Sequence, residues 1–271
     1  MISVLMRSHN DIQYIRSTVE ALLAQETTEE VEILSCDDHS TDGTAAYLAG
    51  IPEIRKIAPP EGKYVPGKTL NHMINQAHGD TIVFNNSDAI PQSRAYLQNL
   101  VSPLKDKNVD CVFGNQIARK NAYLVVRKDY ERAFGDGSVS AAWDSFFSLV
   151  SSGFRKEDLL NKPFNEQIQY SEDADWVKRY SAKIVYVADA VVEHSHNYTL
   201  QQVKKRFFNE GIADTQMGKQ PMRLSHCVRT VLAETLRDWL YLAKHGAFRE
   251  FFYAPVYRYV QKVNYYRGTQ Q

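Results

Sequence analysis

The sequence predicts an α/β protein, a mostly parallel sheet flanked by helices, followed by a C-terminal helical appendage. Three observations predict it. Short apolar runs alternate with segments of helical spacing as far as Phe84, most of the runs break into polar loops, and from about Thr199 onward the text is helical. With 271 residues, 44% of them hydrophobic and 24% charged, the chain suits one large domain plus an appendage and excludes a disordered or fibrous protein.

Ile2 to Met6 is a short apolar run without a helical period, and Arg7-Ser8-His9-Asn10-Asp11 turns it into a polar loop, the pattern of a buried strand. Ile12, Ile15, Val19, Leu22 and Leu23 then recur at helical spacing, with Asn10 or Asp11 placed to cap the start. Val31 to Cys36 predicts a second strand, broken by the loop Asp37 to Thr44, after which Ala45, Ala46 and Leu48 begin another helix. Glu53 to Ile57 suits a third short strand, Lys68 to His78 a helix closed by Gly79, and Thr81 to Phe84 a strand running into Asn85-Asn86-Ser87-Asp88. Ligands of open α/β sheets sit beyond the carboxyl ends of the strands, so the polar clusters 7–11, 37–44 and 85–88 are expected to meet at one site. Val109 to Phe113, Ile184 to Val187 and Ala190 to Val192 predict further strands, Ala122 to Tyr130 a helix and Gly135 to Ser138 a loop. Ser171 with Glu172, Asp173 and Asp175 behind it opens a helix, because acidic groups in a first turn suit the helix dipole. Val228, Val231, Leu232, Leu236, Trp239, Leu240 and Ala243 trace one apolar stripe that Gly246 stops.

Lys+Arg 32 against Asp+Glu 32 gives no net charge, which argues against a protein built as a whole to hold nucleic acid. The balance hides an asymmetry: residues 201–271 carry 12 basic and 5 acidic side chains. Cys36, Cys111 and Cys227 lie far apart with no Cys-x-x-Cys, so neither a disulfide framework nor a cysteine zinc site is indicated. No signal-peptide pattern follows Met1, and no apolar stretch approaches the roughly 18–20 residues that span a bilayer. A cytoplasmic protein is expected, held at a membrane only from its surface if at all.

The loop Asp37-Asp38-His39-Ser40-Thr41-Asp42-Gly43-Thr44 sets several carboxylates at the end of a buried strand. They suit either hydrogen bonds from a base N–H or ribose hydroxyl, or a turn that caps the next helix, and the same two readings apply to Asp88. His194 and His196 alternate, so on a strand both imidazoles would face one side, a pattern that favours metal or phosphate contact.

Ile2-Ser3-Val4 with Ser8-His9-Asn10, Cys36 to Thr44, Asn86-Ser87-Asp88-Ala89-Ile90-Pro91, Glu172-Asp173-Ala174-Asp175-Trp176 and Val192 to Tyr198 resemble, in order and spacing, the motifs of family 2 glycosyltransferases. The likeness runs from about residue 2 to about residue 213 and is strongest to the rhamnosyltransferase-like branch. It implies the GT-A fold over 1–213, with 214–271 as a basic, aromatic-rich appendage, and an inverting transfer of a sugar, rhamnose among the candidates, from a nucleotide-diphospho-sugar. The acceptor it implies is a saccharide or lipid-linked saccharide in bacterial surface polysaccharide synthesis. By the same resemblance Asp38 holds the base with Ser8 and Asn10 beside it, Lys68 and Asn71 lie by the ribose and diphosphate, and Ser87 is a further nucleotide-sugar-binding residue. Gly114, Gln116 and Arg119 fit the branch pattern, in which a basic residue meets the diphosphate or acceptor. Asp88 matches the last aspartate of an Asp-x-Asp motif whose first position here is Asn86, a departure that leaves an amide oxygen in place of a carboxylate. Asp88, Asn86 and His194 are the implied ligands of Mg²⁺ or Mn²⁺. Asp173 matches the catalytic base and Glu172 its neighbour; a carboxylate raised in pKa by enclosure suits that task.

Residues 248–267 interleave eight Phe and Tyr side chains with Arg249, Arg258, Lys262 and Arg267, which suits either a membrane headgroup layer or packing on the core or a second subunit. Two rival functions are a nucleotidyltransferase, which needs a glycine-rich phosphate loop that Arg7 to Asp11 lacks, and a non-catalytic nucleotide-sugar-binding protein, suggested by Asn86.

Overall fold

Eight strands form one sheet: β1 (Ile2–Ser8), β2 (Val31–Asp37), β3 (Ile54–Ile57), β4 (Thr81–Asn85), β5 (Ile90–Pro91), β6 (Cys111–Ile117), β7 (Ser151–Arg155) and β8 (Ile184–Glu193), in the spatial order β3-β2-β1-β4-β7-β6-β8-β5. The computed structural model describes residues 1–143 and 146–271. Its helices are α1 (Ile12–Leu23), α2 (Thr44–Ala49), α3 (Pro66–Gln76), α4 (Tyr96–Val101), α5 (Leu124–Ala133), α6 (Lys156–Asn161), α7 (Glu172–Tyr180), α8 (Leu200–Gln216), α9 (Leu224–Lys244) and α10 (Tyr253–Gly268). The chain divides into two compact units. Unit 1 comprises Met1–Ile117, Ala133–Ile168 and Glu172–His194; unit 2 comprises Ala118–Arg132, Gln169–Ser171 and Ser195–Gln271.

In unit 1 the predicted βα alternation holds over β1, α1, β2, α2 and β3, and β1 pairs in parallel with β2 and β4. Ile2 through Met6 are all buried, as a central parallel strand covered on both faces requires. Val4 and Met6 pack with Ile15, Val19 and Leu22 of α1 and with Tyr96, Leu97 and Leu100 of α4. On the other face, selected by the period-two alternation, Phe84 stacks edge-on to Phe154, which meets Trp176 in the same way. The second half of the sheet is mixed: β7 runs antiparallel to β4 and β6, and β5 antiparallel to β8. β7, with the sequence Ser-Ser-Gly-Phe-Arg, carries too little apolar periodicity to be predicted, yet four of its five residues are buried by its neighbours.

Three local expectations need correction. α1 is capped from a different loop, since Ile12 N–H donates to Asp42 Oδ2 (2.9 Å) and the Asp11 side chain makes no cap bond. α3 stops at Gln76, where Ala77 is already extended, and the Gly79 N–H is used on Ser3 Oγ (2.8 Å) rather than to close the helix. The two strands expected at 184–187 and 190–192 are one strand, β8, with a bulge opposite Gly114 and Asn115. Ala190 O presses so close to Gly114 that a Cβ would lie 2.4 Å from it, so only glycine admits the bulge.

Unit 2 holds α5, α8, α9 and α10 around Val125, Val126, Val203, Leu242, Ala254 and Tyr257. Thr199 caps α8 in a capping box with Gln202. α8 and α10 cross with Gly268 against the Phe208 carbonyl, where a Cβ would lie 2.1 Å away, so a boundary at residue 213 falls inside a packed helix. Two features differ from expectation. The α9 stripe faces solvent, with Leu232 67% and Leu240 65% exposed, while Cys227, Thr235, Asp238 and Leu242 face inward. Arg258, which only one of the two readings of the tail set at a surface, is 1% exposed and forms fork pairs with Asp238 (2.6 and 2.9 Å) and Asp129 (2.8 Å for each bond).

Candidate active site

The level ends of β1 and β2 bring Ser8 beside Asp37, and Ser8 Oγ donates to Asp37 Oδ1 (2.8 Å). Asp37 also accepts from the backbone N–H (2.9 Å) and hydroxyl (2.6 Å) of Ser40, so it fastens its loop. Asn10, in the left-handed region at φ 57°, accepts from Thr41 N–H (2.8 Å) and donates its own N–H to Ser40 Oγ (2.8 Å). The Asp38 N–H donates to Ser8 O (2.9 Å), while the Asp38 carboxylate accepts no hydrogen bond among the described residues. The two aspartates thus differ: Asp37 is satisfied by the protein, and the half-buried Asp38 carboxylate is not.

The third loop joins the first through Ser87, whose hydroxyl donates to Asp11. Burial, reinforced by the neighbouring Asp88 and Asp42, raises the Asp11 carboxyl above its ordinary value against the bonds from Ser87 and His9. Asn86 begins the same turn, its carbonyl accepting from Ala89 N–H (3.0 Å). Behind it, His194 Nε2 lies 3.5 Å from Asp88 Oδ2, with both side chains buried. His194 Nδ1 is paired with Gln116 Oε1 (3.0 Å), an atom that only accepts, so that nitrogen donates and the other ring nitrogen, Nε2, faces Asp88. Gln116 is held in turn by Ser148 Oγ (2.8 Å). A carboxylate and an oriented imidazole sharing one buried spot make a donor set that a divalent cation fits. β8 ends at Glu193, so His194 lies one residue past the strand although its N–H still reaches Ile117 O (3.0 Å), and any pairing of the two histidines does not come from strand alternation.

Asp173 opens α7 and accepts from Ala174 N–H (2.8 Å) and Leu149 N–H (3.3 Å). Burial, together with the charge of Glu172, pushes its carboxyl up to about 6. Glu172 pairs with Arg7 (3.2 Å), which also donates to Tyr64 Oη (3.1 Å), tying the start of α7 to the end of β1.

Sequence reasoning missed one segment here. Ser148 holds Gln116, Leu149 N–H holds Asp173, and the Val150 carbonyl accepts from Asn86 N–H (2.9 Å), so three consecutive residues before β7 join the metal, base and turn candidates. Two of the three act through the backbone, which leaves no side-chain signature to read.

The remaining expected residues take no part in the bonds above. Lys68 donates to Glu61 O (2.7 Å), and the Asn71 amide is used up on Phe164 (3.0 Å in both directions) and Glu166 Oε1 (2.9 Å), a clamp rather than a ligand donor. Arg119 and His196 belong to unit 2. There the buried Arg119 is fastened to Ser195 through its N–H (2.9 Å to Oγ) and its guanidinium, and His196 stacks on Tyr198 at 4.9 Å.

The family model described as Glycosyl transferase family 2 matches residues 3–170. The chain is 28% identical to the O-antigen chain rhamnosyltransferase WbaN of Salmonella anatum over an alignment of length 204 that covers 69% of this chain and 64% of that protein. It is 26% identical over 200 residues to the GalNAc(5)-diNAcBac-PP-undecaprenol beta-1,3-glucosyltransferase of Campylobacter jejuni, 70% of this chain and 62% of that one. The chain thus spans less than two thirds of the length of these relatives. Among solved structures, a mannosyltransferase of Pyrobaculum calidifontis in complex with GDP-Man and Mn²⁺ superposes with a TM-score of 0.66 at 17% identity, covering 97% of this chain and 86% of that one. Glucosyl-3-phosphoglycerate synthase of Mycobacterium tuberculosis in complex with Mn²⁺, UDP and phosphoglyceric acid gives 0.60 at 17% identity, over 80% and 78%. The chain shares their GT-A fold.

Proposed function

The chain belongs to glycosyl transferase family 2, and from that premise we propose that it moves a sugar from a nucleotide-diphospho-sugar to a saccharide hydroxyl, with inversion, in bacterial surface polysaccharide synthesis. The curated relatives support the polysaccharide context, and two of them, from Salmonella anatum and Salmonella typhimurium, are O-antigen chain rhamnosyltransferases, which favours rhamnose as the sugar. The observation that carries the reading is the Ser148–Val150 segment, which ties a proton acceptor, an Asp–His pair and the Asn86 turn into one bonded set.

In this reading Asp38 accepts hydrogen bonds from the base, with Ser8 and Asn10 shaping its loop. Asp88 and His194 hold a divalent cation, Mn²⁺ or Mg²⁺, with the Asn86 amide oxygen available nearby. That cation, when bound, neutralises charge on the leaving diphosphate. Asp173 takes the proton of the acceptor hydroxyl as its oxygen attacks the anomeric carbon from the face opposite the diphosphate, and the bond from that carbon to the diphosphate oxygen breaks. A carboxyl poised near 6 is ionised at neutral pH yet basic enough to receive that proton. Gln116 is a positioning residue, fixing the His194 tautomer.

The test is calorimetric titration of nucleotide diphosphate in the presence of Mn²⁺. Asp88→Ala should lose the Mn²⁺-dependent part of binding, Gln116→Leu should weaken Mn²⁺ affinity about 10–100-fold, and Asn86→Ala should do less than either. Equal Mn²⁺-dependent binding by wild type and Asp88→Ala would remove the metal assignment.

A further inference from the structure

The α9 stripe leaves unit 2 with a face that its own core does not use. Leu224, Val228, Leu232, Leu236 and Leu240 follow one another at every fourth position and are 61%, 52%, 67%, 56% and 65% exposed. At 1.5 Å per residue this ridge is about 24 Å long, far beyond the scattered single apolar residues of an ordinary surface. It continues past the end of the helix. The indole of Trp239 stacks on Phe251 at 6.3 Å and donates to its carbonyl (2.9 Å), and Phe251 touches the exposed Phe248 at 5.6 Å.

The charges around the ridge are of one sign. Arg223, Arg229, Arg237, Lys244 and Arg249 are exposed. The acids of the same stretch are paired within unit 2. Asp238 is held by Arg258 (2.6 Å), Glu234 bonds Lys128 (3.3 Å), Arg132 (3.2 Å) and the rim residue Arg237 (2.6 Å), and Glu250 accepts from Leu124 N–H (3.0 Å), which leaves Arg223, Arg229, Lys244 and Arg249, among the described residues, as the exposed charges without an acid partner in that stretch. No described helix is long and apolar enough to cross a membrane. An apolar ridge whose own helix exposes cations and no acid matches a bilayer surface with anionic headgroups, where the side chains enter the acyl boundary and the cations meet phosphates. A second copy fits less well, because a two-fold contact would set the same cationic rim against itself.

We propose that the exposed face of α9, extended by Phe248, is a membrane-docking surface by which the protein lies on an anionic lipid bilayer. The test uses the full chain in flotation with vesicles of phosphatidylglycerol and phosphatidylcholine, and with phosphatidylcholine alone. The wild type should float with the anionic vesicles at low salt, detach at high salt and ignore the neutral ones. Arg229→Gln with Lys244→Gln should lower the partition coefficient about thirty-fold, at roughly fivefold for each cation. Leu232→Glu with Leu236→Glu should abolish flotation. All four sites are exposed, and an unchanged circular-dichroism melt checks that the variants fold. Failure of the wild type to float, equal flotation with neutral vesicles, or unchanged flotation of both variants overturns the proposal. A wild-type dimer that ignores vesicles and becomes monomeric in Leu232→Glu assigns the face to a second copy instead.

Discussion

Unit 1 puts its apolar residues inside and its charges at strand ends, whereas unit 2 puts a charge network inside and an apolar ridge outside. In unit 1 the ionisable groups of the candidate site lie beyond the ends of β1, β2, β4 and β8 and in the first turn of α7, and the sheet core holds Val4, Met6, Leu34 and Phe154 at essentially no exposure. In unit 2 the inward face of α9 carries Asp238 at 0% exposure, bridged to Arg258 and, closer still, to Lys128. The difference shows that amphipathic periodicity reports two faces of a helix without saying which one faces in. A buried, fully bonded charge network can hold a helix in register and free its apolar face for another task.

Removing the proton acceptor of unit 1 should have the largest effect. Asp173→Asn should lower kcat about 10²–10⁴-fold with donor affinity nearly unchanged, measured by transfer assay and calorimetry. The wild-type rate should fall as pH drops through about 6, where the Asp173 carboxyl takes up its proton.

Stability sharpens the contrast next. Arg258→Met removes the guanidinium that Asp129 and Asp238 share, leaving them Lys128 alone, and should cost about 3–5 kcal/mol by denaturant melt, with recovery when Asp238→Leu is added. In unit 1 a comparable loss requires a cavity instead: Leu34→Ala, at 0% exposure, should cost about 2–5 kcal/mol. If Arg258→Met is neutral, the ionic core of unit 2 is not what holds it.

The pH dependences should have opposite signs. Asp173 has a folded pKa above its ordinary 3.8, so its contribution to stability declines as pH rises from about 4 to about 6. Asp173→Asn should therefore raise stability at pH 7 by on the order of 1–3 kcal/mol and leave it unchanged below pH 4, read from thermal melts. In unit 2, burial opposes the charge of Glu234, but Lys128 and Arg132 outweigh it and hold its carboxyl down at about 2. The stability Glu234 contributes is present above its ordinary 4.5 and is lost as pH falls toward 2, which hydrogen exchange of α9 amides would follow. The smallest effect belongs to the exposed ridge. Leu232→Ser should change stability by less than about 0.5 kcal/mol, although the same change inside unit 1 would be severe.

Much of unit 1 was legible because its signals are local. The run Ile2 to Met6, the spacing of Ile15, Val19 and Leu22, and the polar breaks after β1, β2 and β4 each sit within a few residues, and each predicts its own element. The candidate site was legible as residue types in order, since Ser8, Asp37, Asn10, Ser87 and Asp11 do bond across their loops. It was not legible as roles. The clamp made by Asn71, the cap of α1 supplied by Asp42 and the Leu149 N–H on Asp173 depend on partners distant in sequence.

By itself, then, the sequence determined the strand–loop–helix order of unit 1, the polar loops at its strand ends and the amphipathic character of α9. Tertiary structure decided that β7 slots antiparallel between β4 and β6, that one bulged strand replaces two, and that α9 turns Asp238 inward and its leucines outward. The physical reason is range. Periodicity and caps are set by neighbours within a turn or a strand, whereas the inward face of an element and the bonding of a buried charge are set by the far segment that packs on it.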